Sequence, residues 1–165
     1  MKGITLIGMP GAGKSTIGKA LAGKLGFRFV DLDFVIKEKE GKSHSVLLEK
    51  LGPEKFIELE GSHALGIDLS KTVFSPGGSI VYSPEAMKKL RSETLIIYLE
   101  LPLQEIRRRL GRSAETRGIV GLAEKGLAEL FKERTPLYQS FASHTVACLN
   151  LKDREVVNKI TEFLS

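Results

Sequence analysis

The chain has no tryptophan and a single cysteine, Cys148. One thiol cannot close an internal disulfide, and no cysteine-built metal cluster is suggested. Cys148 stands in the apolar stretch "TVACL" and reads as a small buried hydrophobe rather than a nucleophile. His44, His63 and His144 are scattered, without metal-ligand spacing, so neither metal binding nor catalysis is expected of them. No apolar run approaches the roughly 18 residues that span a bilayer. The apolar core of "MKGITLIGMPG" is too short for a secretory signal. These absences predict a cytoplasmic protein with no membrane partner. Repeats and low-complexity stretches are missing too, and residues 1–165 are expected to form a single domain.

What is present is ordinary in bulk: 42% hydrophobic residues, 27% charged, and a net charge of +5. Much of the positive excess lies in "RRRLGRSAETR", residues 107 to 117. Without interleaved aromatics to stack bases, this segment suits a loop that clamps phosphate better than a nucleic-acid surface. No nucleic-acid partner is expected.

The chain alternates strand-like and helix-like stretches. "ITLIG" reads as a buried strand, followed by a helix from Lys14 to Leu25. "FRFVDLD" reads as a second strand ending in two acids, and Phe34 to Leu69 as helix in pieces, punctuated at Gly41 and Gly52–Pro53. "KTVFSPGG", "TLIIYLEL" and "HTVACLNL" supply three more strands. Helices are expected after Ser83–Pro84, after Pro102, from about residue 120 to 142, and at the C-terminus. Such alternation predicts a parallel, doubly wound α/β sheet with ligands beyond the C-terminal strand ends.

Gly8-x4-Gly13-Lys14-Ser15 matches the phosphate-binding loop in full, between a strand and a helix. Its glycines let backbone N–H groups curl around an anion, and the following helix points its positive end at the phosphates. Gly11, Ala12, Gly13, Lys14, Ser15 and Thr16 are therefore expected to bind nucleotide, with Lys14 on the β- and γ-phosphates and Ser15 on Mg²⁺. No Asn-Lys-x-Asp guanine-reading pattern occurs, which favours ATP. In an extended "DLD", Asp31 and Asp33 would share one side. One acid could serve Mg²⁺ and the other could orient or deprotonate an attacking hydroxyl. The alternative is a solvated strand end or a cap for the helix that starts at "FVIKEKE".

"LIGMPGAGKSTIGKALAGKLGFRFVDLD", "FIELEG", "SPGGS", the arginine-rich segment and "ERTPLYQSFA" follow one another in an order that resembles the shikimate kinases. The resemblance covers nearly the whole chain. It implies a three-layer P-loop kinase fold with a five-stranded parallel sheet and a mobile lid at about 111–120. It also implies phosphoryl transfer from ATP, with Mg²⁺, to a ring hydroxyl of shikimate, and a monomer. Position by position, it implies Asp31 near the metal with Ser15, Asp33 on the acceptor hydroxyls as base, and Arg117 closing from the lid onto the phosphates. Arg134 would grip the substrate carboxylate, and Gly77 and Gly78 would let the backbone approach the substrate. Arg109 or Arg112 would flank the adenine.

The chain departs from the family on the acceptor side. Ile57 stands where the family's Phe-Arg-x-x-Glu pattern has a second carboxylate-gripping arginine, leaving Glu60 without that partner. Pro76 replaces the first glycine of a Gly-Gly-Gly turn, Ser79 follows it, and Gly118 stands where the lid usually has proline. A kinase is expected still. Its acceptor is either shikimate, with Lys55 or Arg134 compensating, or another small hydroxylated metabolite such as a sugar acid or polyol. A non-catalytic ATP-binding relative is the third reading.

Overall fold

The computed structural model describes residues 2–165. Its framework is a five-stranded, all-parallel sheet in the order β2-β3-β1-β4-β5. The strands are β1 (Gly3–Ile7), β2 (Arg28–Asp31), β3 (Thr72–Ser75), β4 (Thr94–Glu100) and β5 (His144–Ala147). Every residue of β1 is buried, which explains why "GITLI" runs apolar without alternation: a strand covered on both faces has no solvent side. Leu6, Val73, Phe74, Ile97 and Leu99 form the heart of the core.

The helices are α1 (Lys14–Leu25), α2 (Leu32–Glu40), α3 (His44–Leu51), α4 (Pro53–Leu65), α5 (Pro84–Glu93), α6 (Leu103–Leu110), α7 (Leu122–Lys125), α8 (Leu127–Phe141) and α9 (Asp153–Glu162). Right-handed crossovers carry the chain leftward from β1 to β2 through α1, and rightward from β3 to β4 through α5. The two crossovers therefore lie on opposite faces. α9 packs beside α1, and α4 packs against α5. The direction of winding reverses between β1 and β3, so the loops after these two strands face each other across the crevice where such sheets bind ligands. No helix among the described residues is long and apolar enough to cross a membrane.

Two boundaries differ from those expected. The second strand ends at Asp31, not Asp33, because the Asp31 side chain caps α2 and turns the chain into a helix at once. The helix expected over 120–142 is two, broken at Gly126.

Candidate active site

The loop after β1 wraps the start of α1. Gly11 and Gly13 hold φ of 83° and 93°, a left-handed backbone that glycine adopts without strain and that turns successive N–H groups inward. Gly11, Gly13, Ser15 and Thr16 line a cavity of about 420 Å³. Ala12 faces inward to the core, at 2% exposure, and donates its N–H to the Met9 carbonyl. Lys14 is buried, its Nζ donating to the carbonyls of Gly8 and Met9 at 3.0 Å each. Burial lowers its pKa to about 8, with Asp33 pulling the other way. The cradle fits nucleotide phosphates: it presents backbone N–H groups, and a lysine whose charge phosphate oxygens would stabilise.

Asp31 joins this loop to the acceptor side. Its Oδ2 accepts from the Ser15 hydroxyl at 2.6 Å, and its Oδ1 accepts from the Asp33 N–H at 2.9 Å. So the helix-cap reading of "DLD" is correct for Asp31, and the shared-side argument for an extended pair is not. Asp33 sits in the first turn of α2 instead, and opens into the cavity. The cavity walls desolvate its carboxyl and raise its pKa, while His44 works against that rise. A hard oxygen pair from Ser15 and Asp31 beside the phosphate cradle suits Mg²⁺.

The loop after β3 and helix α8 complete the cavity. Gly77 and Gly78 line it, but their lack of a Cβ first makes room for protein. A Cβ on Gly77 would collide with a Glu60 carboxylate oxygen, and one on Gly78 would sit 3.0 Å from Arg134 Nη1. Arg134 is 1% exposed. Its Nη2 donates to the Val120 carbonyl at 2.6 Å, it lies 5.3 Å over the Tyr82 ring, and its Nε has no protein partner. Arg117 lines the cavity from the lid segment. Arg109 does so beside the phosphate loop, held at 3.1 Å by Glu105, whereas Arg112 does not line it. Gly118 has φ 71°, outside the reach of proline's ring, and packs directly on the backbone of His44 and Ser45. That is why this lid has no proline there.

Glu60 is not the unpaired acid expected from the loss of its arginine. Ser79 Oγ donates to its Oε1 at 2.7 Å. Burial still pushes its pKa from 4.5 up to about 7. Folding therefore takes up a proton at Glu60. Its contribution to stability is fully present below pH 4.5 and is lost as pH rises through about 7. From about pH 5 to about pH 8 the protein is expected to lose about 2 kcal/mol that the Glu60→Gln variant keeps, measured by urea unfolding of both.

Ile57 faces away from the cavity. It lines a separate hollow of about 220 Å³ with Pro53, Tyr82, Val120 and Leu130. Lys55 is exposed and lines neither space. Sequence reasoning missed His44, which lines the main cavity beside Phe56. The available signal was Ser43, a cap that sets His44 at the head of α3.

A glycine-rich phosphate cradle between strand and helix, opening with Asp31, Asp33, Arg117 and Arg134 onto one cavity at the edge of an all-parallel sheet, has the architecture of a P-loop kinase of small molecules. The family model for shikimate kinase matches residues 10–165. The shikimate kinase of Enterococcus faecalis is 34% identical over 166 residues, 99% of each chain. That of Persephonella marina is 34% identical over 97% of each. Among solved structures, the shikimate kinase of Acinetobacter baumannii in complex with shikimate superposes with a TM-score of 0.89 at 28% identity, covering 99% of this chain and 93% of that one. The chain belongs to the shikimate kinase family. It is a phosphotransferase with an alcohol acceptor, using ATP and Mg²⁺.

Proposed function

We propose that the protein transfers the γ-phosphate of ATP to a hydroxyl of shikimate, as a single-domain cytoplasmic monomer with no nucleic-acid partner. The observation that carries this reading is the convergence of Lys14, Asp33 and Arg134 on one cavity, all supplied by one chain. Ser15 and Asp31 would hold Mg²⁺, which would supply charge neutralisation for the phosphates. The N–H groups of Gly11, Gly13, Lys14, Ser15 and Thr16 donate to the phosphate oxygens, and Lys14 exchanges its two carbonyl partners for them. Asp33 orients the acceptor hydroxyl. It takes that hydroxyl's proton as the oxygen bonds to phosphorus and the bond to ADP breaks. Arg117 meets the charge that spreads over the transferring group, and the lid segment excludes water. Arg134 holds the acceptor's carboxylate from below.

One observation favours a second reading. With Ile57 beside a separate hollow, Arg134 is the one guanidinium that α4 and α8 bring to the acceptor end. A neutral polyol, with no carboxylate to hold, would need fewer than two arginines. ADP release from MgATP with shikimate, quinate, gluconate and simple polyols separates the readings. Turnover with shikimate alone supports the first, and turnover with another compound alone supports the second. ATP binding without turnover on any compound would support the non-catalytic relative. Because Ile57 lines the separate hollow, Ile57→Arg should leave the KM for shikimate within about twofold of wild type, with the KM for ATP unchanged; a fall of about tenfold would show that the longer side chain brings its charged donor to the acceptor.

A further inference from the structure

Two of the three histidines have partners. His63 Nε2 meets Glu40 at 2.9 Å, and His144 stacks on Phe163 with ring centroids 4.2 Å apart. His44 does not. Only 14% of its side chain is exposed, and its Nε2 is buried with no hydrogen-bond partner. A buried polar nitrogen left in this state costs free energy unless a ligand satisfies it.

The ring is fixed from three sides. Ser43 caps α3, its Oγ accepting from the Val46 N–H, and so sets His44 at the first helical position. The edge of the ring meets Phe56, with centroids 5.0 Å apart at 71°. Gly118 of the lid packs on the His44 backbone with no room for a Cβ. This clamp aims Nε2 at Asp33, 3.5 Å from Oδ1, longer than a good hydrogen bond. The gap leaves a hydrogen-bonding nitrogen and an acceptor oxygen side by side in one cavity wall. Hydroxyls on adjacent carbons stand close enough to use both: one donates to Asp33, and its neighbour accepts from His44 Nε2–H.

We propose that His44 is an acceptor-binding residue that reads the hydroxyl adjacent to the one phosphorylated, which makes the pocket selective for vicinal diols. The proposal rests on the kinase reading above and adds a specificity contact to it. Glutamine places an amide nitrogen near the position of Nε2, whereas leucine fills the space without a donor.

The test compares wild type, His44→Leu and His44→Gln on shikimate and on a deoxy analogue lacking the hydroxyl next to the reacting one. On shikimate, kcat/KM should fall about tenfold in His44→Leu and recover to within about threefold of wild type in His44→Gln, with the KM for ATP unchanged. On the deoxy analogue, wild type and His44→Leu should agree within about twofold, because the contact has no partner to lose. A leucine variant equal to wild type on shikimate overturns the proposal. So does a glutamine variant as poor as leucine, or an equal loss on the deoxy analogue. If the wild type releases no ADP with shikimate, the function reading falls on its own. The comparison is then made by calorimetry on the ADP-loaded protein with quinate, gluconate and simple polyols. Wild type must bind at least one diol about tenfold tighter than His44→Leu does, and failure there overturns the proposal.

Discussion

Replacing Asp33 by asparagine is expected to lower kcat about 10³-fold, the scale of a positioned general base, with nucleotide affinity nearly unchanged. The residue opens into the cavity from the first turn of α2, and its backbone N–H is held by Asp31. Asparagine keeps that bond and the shape of the side chain. It loses the ability to take a proton from the acceptor hydroxyl. The helix loses one acid from its first turn, worth about 0.3–1 kcal/mol, so folding is little affected. The measurement is steady-state ADP release, paired with ATP-analogue binding by calorimetry. Unchanged turnover would remove Asp33 from the chemistry. Lost nucleotide binding would mean that the substitution had damaged the phosphate loop instead.

Arg117→Ala is expected to lower kcat about 10²- to 10³-fold, because a guanidinium that meets transition-state charge acts where water is excluded. Arg117 is exposed and lines the cavity from the lid, so its removal leaves no buried cavity and no orphaned core partner. Stability should therefore stay within about 0.5 kcal/mol of wild type. Arg117→Lys should recover only part of the rate, since lysine offers a point charge in place of a planar fork. Measuring ADP release with and without acceptor gives a second readout. A lid that shields the site should leak more ATP to water when this arginine is gone, and an unchanged ratio would remove Arg117 from the closing contact.

The phosphate loop was legible as a local unit, although the inward turn of Ala12 was not. A strand, glycines at fixed offsets, a lysine and a helix all lie within a few residues of one another. "DLD" was half legible. Its acids were visible, but whether the chain stays extended or turns depends on where the Asp31 oxygens find partners. One partner, Ser15, is sixteen residues away. His44 was invisible as a site residue for the same reason, and Arg109 was visible only as one of two candidates with Arg112. His44 and Arg109 each sit on a helix whose own sequence does not say what it packs beneath. Ile57 was legible as a departure from a family pattern, but not as a residue that faces a separate hollow. That depends on the rotation of α4, which the packing of Phe56 and Glu60 into the interior fixes. The pairing of Glu60 with Ser79 crosses from α4 to the turn after β3, and only the folded chain brings them together.

The two oxygens of the Asp31 carboxylate answer to different masters. One receives the hydroxyl of Ser15 from the nucleotide side, and the other receives the N–H of Asp33 from the acceptor side. A ligand that draws on either oxygen re-aims the whole group and moves the balance of the other. The carboxylate is thus a path along which nucleotide and acceptor would be coupled without touching. Such coupling is reciprocal by thermodynamic necessity. The factor by which MgATP changes the affinity for the acceptor would equal the factor by which the acceptor changes the affinity for MgATP.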